Sequence, residues 1–123
     1  MKMGPPIPIL RVFDHALAKT FYVDWLGFTV DWEHEFGPDS PKYLQVTRGD
    51  VTLHLSEHYG DCTPGARVFI ETDDAGELHR ELHSRPNPNM NPGIEITPWN
   101  SKCLEVIDPF GNRLTFNESL DKK

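Results

Sequence analysis

The sequence predicts an α+β fold: two βαβββ modules forming a curved mixed sheet around a cleft, with the helices on the outer face. Three observations lead there. The stretch Asp108-Pro109-Phe110-Gly111-Asn112-Arg113-Leu114-Thr115-Phe116 reads as a tight hairpin turn feeding an alternating strand. Asp-Pro opens the turn and Gly-Asn supplies positive φ at little cost. Sixty residues earlier, Arg48-Gly49-Asp50-Val51-Thr52-Leu53 is also a glycine-containing turn followed by an alternating strand. Helix starts recur at nearly the same offset, at Asp14 and at Asp73 or Asp74. One strand–helix–strands unit is thus used twice in 123 residues, a length that supports one domain with a real core. The expected organisation is a single domain over 1–123, with module one at about 6–58 and module two at about 66–118.

Module one opens with a strand over Pro6–Val12, its prolines confined to the start as an edge position allows. Asp14 is a good helix N-cap. Leu17, Phe21 and Trp25, with Ala18, Tyr22 and Leu26, follow i, i+4 spacing and make one apolar face. Gly27 then ends the helix. Phe28–Phe36 alternates, with Phe28, Val30, Trp32, His34 and Phe36 on one face and Thr29, Asp31, Glu33 and Glu35 on the other. After a Gly-Pro-Asp-Ser-Pro loop, Lys42–Thr47 and Val51–Ser56 form a hairpin, and Tyr59–Gly65 links the modules. Module two repeats the order. It has a strand at Ala66–Thr72, an amphipathic helix carrying Leu78 and Leu82 to about Arg85, and a Pro/Asn-rich loop over Pro86–Gly93. Strands at Ile94–Pro98, Lys102–Ile107 and Arg113–Asn117 finish it, and the residues beyond Ser119 are expected to fray.

Period-two logic assigns faces. Leu10, Val12, Leu44, Val46, Leu53, Leu55, Val68, Ile70, Leu104, Val106, Leu114 and Phe116 are expected to face the helices. Ile7, Ile9, Arg11, Tyr43, Gln45, Thr47, His54, Ser56, Arg67, Phe69, Glu71, Cys103, Glu105, Arg113 and Thr115 are expected to face the cleft. The first set is almost wholly aliphatic and the second mixed polar, as two such faces require.

Composition narrows the function classes. The net charge of −7 argues against a nucleic-acid partner and permits a cationic ligand, while also serving solubility. No apolar run approaches the roughly 18–20 residues that span a bilayer, and the first residues lack the apolar core of a signal peptide. A cytoplasmic protein with no membrane partner is expected. Cys62 and Cys103 form no CxxC pair and are read as reduced thiols.

Three pieces in the right order carry a family resemblance: Ile9-Leu10-Arg11-Val12-Phe13-Asp14, then Phe21-Tyr22 with Trp25-Leu26-Gly27-Phe28, then Asp108-Pro109-Phe110-Gly111-Asn112-Arg113. Over roughly Pro6 to Glu118 the chain resembles the vicinal oxygen chelate superfamily of glyoxalases, extradiol dioxygenases and bleomycin-resistance proteins. It is most similar to the bleomycin-resistance branch, through Ile7-Pro8-Ile9-Leu10, the Gly49-Asp50-Val51-Thr52-Leu53 hairpin and Pro98-Trp99. The resemblance implies a homodimer with ligand clefts at the subunit interface, and leaves open whether the first strands are exchanged. Metal-dependent members place four ligands on cleft-facing strand positions, and carried over these fall at Ile7, His54, Arg67 and Thr115. Only His54 readily ligates, and Arg67 puts a fixed positive charge where a divalent cation would sit. No metal and no cofactor are therefore expected.

Other candidates rest on their residues alone. His54-Leu55-Ser56-Glu57-His58 matches the HxxEH pattern of inverted zinc peptidases, which need both histidines on one helix face. In a strand the two lie about 13 Å apart. A relocated metal site from His54, Glu57, His58 or Asp61 stays open. His79 and His83, at i, i+4, read as an exposed polar stripe, and His15 as surface. Trp32, Phe36 and Trp99 are candidate stacking surfaces, with Tyr43 and Phe69 as further aromatics of interest. The expected ligand-binding set is Trp32, His34, Phe36, Tyr43, Gln45, His54, Ser56, Arg67, Trp99, Glu105 and Arg113. An acidic rim at Glu33 and Glu35 is expected to meet a cationic end of the ligand, and Arg67 an anionic or carbonyl end. The expected function is sequestration of a planar or cationic small molecule. The alternative is an enzyme of the same superfamily, acting metal-free or with rearranged ligands.

Overall fold

The computed structural model describes every residue except Phe36, Pro86, Pro88, Asn89, Lys122 and Lys123. The chain divides into two compact units, 1–64 and 65–123. Module one contains β1 (Ile9–Arg11), α1 (His15–Lys19) continued by a π-helical turn (Thr20–Trp25), β2 (Thr29–Glu35), β3 (Lys42–Arg48) and β4 (Val51–Ser56). Module two contains β5 (Arg67–Glu71), α2 (Ala75–Ser84), β6 (Ile94–Ile96), β7 (Ser101–Ile107) and β8 (Arg113–Ser119). Each module is one four-stranded mixed sheet. The orders, β1-β4-β3-β2 and β5-β8-β7-β6, are the same topology used twice. In each, the first strand lies parallel to the last and the other pairs are antiparallel. This is the α+β repeat the sequence predicts. Among the described residues no helix is long and apolar enough to cross a membrane.

The aliphatic faces behave as expected. Leu10, Val12, Leu44, Val46, Leu53 and Leu55 are buried in module one, and Ile70, Leu104, Val106, Leu114 and Phe116 in module two. Val68 is only half-buried. Each fully buried aliphatic contributes roughly 1.5–3 kcal/mol. Asp14 caps α1 as predicted, its carboxylate accepting the Ala16 and Leu17 amides at 2.8 and 3.1 Å.

Two details depart from simple periodicity. The helix of module one widens after Lys19, where the Leu26 amide donates to the Phe21 carbonyl, five residues back. The wider turn rotates the apolar stripe. Ala18, Phe21, Tyr22, Trp25 and Leu26 are buried, but Leu17 stays 51% exposed. Gly27, at φ 78°, closes the helix as predicted.

The second departure is a bulge in β2. Val30 stands opposite Val46, but Trp32 stands opposite Gln45, so Asp31 is an extra residue. The expected single face from Phe28 to His34 is therefore split. Phe28 is buried with the core and Val30 pairs with core Val46, whereas Trp32 and His34 share the face of Gln45 and Tyr43. Glu33 moves to the opposite face, opposite Leu44. There it pairs with Lys19 of α1 and lies 3.8 Å from Lys42, which is 3.9 Å from Glu35. Lys19 first, against some burial, lowers the Glu33 pKa. The expected acidic ligand rim at Glu33 and Glu35 is thus instead a set of ion pairs behind the sheet.

The turn at Asp108–Asn112 works through side chains as well as backbone. Gly111 takes φ 91°, while Asn112 is not among the described residues with positive φ. Asn112 instead donates through its side-chain amide to Asp108 Oδ2 at 2.8 Å and accepts the Ala66 amide at 3.1 Å. Asp108 Oδ1 accepts the Phe110 and Asn112 amides at 2.9 and 2.8 Å. Both side chains are buried, so this polar knot ties the β7–β8 hairpin to the start of β5. Asn112→Ala strips partners from a buried carboxylate and a backbone amide. It should lower unfolding stability by about 2–3 kcal/mol in urea denaturation, whereas a loss under about 0.5 kcal/mol would show that the knot is dispensable.

Candidate functional site

The open face of module one is built in two rows across the sheet. Backbone register places Ile9, His54, Gln45 and Trp32 side by side, and Arg11, Ser56, Tyr43 and His34 in the next row. Trp32 lies nearly parallel to Tyr43, with centroids 5.9 Å apart at 7°, and meets His54 edge-on at 5.3 Å. A continuous hydrogen-bond chain runs beneath. The Tyr43 hydroxyl is 2.7 Å from His54 Nδ1, and His54 Nε2 is 2.9 Å from Gln45 Oε1. Gln45 Nε2 donates to Asp31 Oδ2 at 3.0 Å, and Thr47 donates to Asp31 Oδ1 at 3.0 Å.

The Asp31 carboxylate can only accept, and this orients its end of the chain. It fixes the Gln45 amide, so Gln45 Oε1 must accept from His54 Nε2–H. Nδ1 faces the Tyr43 hydroxyl, which can donate or accept. Burial pushes the His54 pKa down and so favours the neutral ring, with its proton on Nε2 and Nδ1 accepting from Tyr43. Tyr43 is pushed up, by burial first and then by the charge of Asp61. Trp32, His34, Tyr43, His58 and Asp61 border a recess of about 340 Å³.

The open face of module two has a different character. Arg67, Phe69, Glu95, Trp99, Cys103, Glu105 and Thr115 help line a concavity of about 430 Å³. Glu105 is held by Arg67 at 3.5 Å and Arg113 at 4.0 Å, with the Thr115 hydroxyl also at 3.5 Å. Both arginines are well exposed, so these pairs contribute little stability and leave guanidinium donors facing solvent. Phe69 and Trp99 expose 58% and 62% of their surface. Cys103 is buried, its thiol 3.0 Å from Asn117 Oδ1. Burial first, then Glu95 and Glu71, push its pKa up, which keeps it a thiol.

Of the predicted set, Trp32, His34, Tyr43, Gln45, His54 and Ser56 come together on module one, and Arg67, Trp99, Glu105 and Arg113 on module two. Phe36 lies outside the described residues. Ser56 shares the face by register but is fully buried, donating to Asp61 Oδ2 at 2.6 Å, so it positions Asp61 and offers a ligand no surface. In the sequence, Asp31 is only a polar alternation residue, and Asp61 has a role only within the relocated metal set. The bulge and the loop that place them leave no periodic signal. Phe69 and Cys103 were on the predicted face but outside the predicted set.

The family's four metal positions do not fit a divalent ion. Ile7 has no lone pair, Arg67 is a fixed cation, and both His54 nitrogens are engaged. The relocated set does not converge either. Glu57 accepts the His15 and Lys42 amides at 2.8 and 2.7 Å, anchoring α1 and β3 instead. Among the described residues no three His, Cys, Asp or Glu side chains gather as a metal site. His83 Nε2 lies 2.8 Å from the Pro92 carbonyl, an arrangement that makes it a donor rather than a ligand. β4 ends at Ser56, so the HxxEH stretch forms no helix.

The profile of a family described as glyoxalase superfamily protein matches residues 2–123. A bleomycin resistance protein from Staphylococcus aureus (strain MRSA252) is 28% identical over 135 residues, covering 93% of this chain and 96% of its own. The bleomycin-binding protein of bleomycin-producing Streptomyces verticillus, solved with copper(II)-bleomycin, is 29% identical with a TM-score of 0.69. That match covers 98% of this chain and 99% of the other. TnmS3, an antibiotic binding protein from Streptomyces sp. CB03234, is 26% identical with a TM-score of 0.73, covering 97% and 98%.

The neutral His54 has a measurable consequence. Its folded pKa lies below the unfolded value of about 6.5, so its contribution to stability is complete above that pH. The contribution is lost as pH falls from there through the depressed folded value. NMR titration of the imidazole should show an Nε2–H tautomer with a midpoint below the ordinary histidine range. Tyr43→Phe removes a donor that only the neutral ring can accept, so the midpoint should rise. A midpoint that stays fixed or falls in this variant refutes the hydrogen-bond chain.

Proposed function

The chain belongs to the glyoxalase superfamily, and from that premise we propose that it is a cytoplasmic binding protein of the bleomycin-resistance type. It sequesters a planar or cationic small molecule in a homodimer and performs no chemistry on it. One observation carries this reading: His54, at a position implied to ligate metal in metal-dependent members, is locked into a scaffold. The hydrogen-bond chain that consumes its nitrogens also braces the Trp32–Tyr43 pair as a flat aromatic surface. A residue type suited to catalysis is thus used to support a binding wall.

The two open faces divide the work. Module one supplies stacking area and an acidic recess. Module two supplies Trp99, Phe69 and the guanidinium donors of Arg67 and Arg113, suited to a carbonyl or anionic group. A bound drug is withdrawn from its target by mass action alone. The names of the relatives above, which state bleomycin resistance, bleomycin binding and antibiotic binding, support the same ligand class. For the homodimer, support comes from edge strand β1 and the segment leading into it, where Ile9 and Ile7 are 39% and 41% exposed beside Pro5, Pro6 and Pro8. Apolar side chains on a proline-stiffened edge suit burial against a second chain.

Calorimetry with bleomycin tests the binding claim. Micromolar or tighter affinity is expected, and Trp32→Ala, Trp99→Ala and Arg67→Ala should each weaken it by at least about threefold, since stacking on one ring is worth roughly 0.5–1.5 kcal/mol. If the folded protein ignores bleomycin, or all three variants match the parent, the reading fails. Sedimentation equilibrium at tens of micromolar should return the mass of two chains, and a monomer there would remove the dimer from the proposal.

A further inference from the structure

We propose that the recess of module one is a subsite for an organic cation, an alkylated ammonium group, seated against Trp32 and Tyr43 and neutralised by Asp61. The inference rests on the reading that this open face binds the ligand, and it names the chemistry the recess selects. The recess, about 340 Å³, has an aromatic wall, a carboxylate and, among the described residues, no Lys or Arg on its border. An aromatic face carries negative quadrupole charge, so a poorly hydrated cation gains from it where a neutral group of the same shape does not. Trp32 is 36% exposed, so its ring is available to a ligand.

Asp61 is held rather than free-swinging. Its Oδ2 accepts the Ser56 hydroxyl at 2.6 Å, and its amide donates to the His58 carbonyl at 3.3 Å. Its field reaches the Tyr43 hydroxyl. The fixed cation in the same strand row, Arg11, is held by other groups, although its charge reaches Cys62 beside Asp61. Its guanidinium lies 4.7 Å from the centroid of the Phe13 ring and donates to the carbonyls of Val12 and Ser56. Burial favours the neutral form of His54, behind the wall, so it adds no opposing charge at neutral pH. The chain's −7 charge favours capture of a cation from solution.

Choline and its uncharged isostere 3,3-dimethyl-1-butanol separate charge from shape. The full chain is titrated with each while the three tryptophan indole resonances are followed by NMR, with Trp32→Ala assigning the Trp32 signal. Choline should move the Trp32 indole and bind about tenfold more tightly than the isostere. Asp61→Asn keeps an acceptor for the Ser56 hydroxyl and should bring the two probes within about threefold of each other. Equal binding of both probes by the parent, an unmoved Trp32 signal, or full discrimination in Asp61→Asn overturns the subsite. Bleomycin is titrated in parallel. A protein that discriminates choline as stated but ignores bleomycin keeps the subsite and loses the drug reading. One that binds bleomycin without discriminating choline keeps the drug reading and loses the subsite.

Discussion

One extra residue in β2 decides what module one can offer a ligand. Without the bulge at Asp31, Trp32 and His34 would follow Val30 onto the core side. The open face would then carry Glu33 and Glu35. With it, the period slips by one, and an indole and an imidazole join Tyr43 and His54. A one-residue slip normally costs a strand its buried face. Here it comes after Val30, where the core contact is already made, and the displaced glutamates find Lys19 and Lys42. The bulged residue is not idle. Asp31 accepts from Gln45 and Thr47, and so orients the Gln45 amide to accept from His54 Nε2.

The two modules show how one topology serves two chemistries. Strand order and the parallel first-to-last pairing are the same in both, because the aliphatic faces demand them. The open faces are under no such demand. Module one fills its face with rings and an internally satisfied hydrogen-bond chain. Module two fills its face with exposed ion pairs and lone aromatics. Ion pairs of this exposure add little to stability, so Arg67, Glu105 and Arg113 are not there to hold the sheet together.

What the sequence revealed follows from what is periodic or local. The repeat, the caps at Asp14 and Asp74, the Gly27 stop and the aliphatic faces all have short-range signatures. The residues placed on the open faces by alternation in β3, β4, β5, β7 and β8 are there. The departures arise where the period changes without a marker. A π-helical turn leaves Leu17 exposed, and a bulge splits the single β2 face, parting Trp32 and His34 from Phe28 and Val30. Asn112 was expected to supply backbone freedom and instead supplies side-chain hydrogen bonds. Asp31 and Asp61 acquire their roles only through residues distant in sequence, which no local pattern encodes.

The protonation logic of module one separates binding from catalysis in physical terms. A general base must have a lone pair aimed at the substrate and a pKa near working pH. His54 has neither. Its Nδ1 lone pair receives the Tyr43 proton, its Nε2 proton is directed into Gln45, and burial lowers its pKa. Releasing either nitrogen would leave Tyr43 or Gln45 without its partner and loosen the surface on which Trp32 rests. The same bonds that would have to break for chemistry are those that keep the aromatic wall flat. In the proposed binding role, a rigid wall loses little conformational entropy when a planar ligand stacks on it, the preorganisation that suits tight, reversible capture.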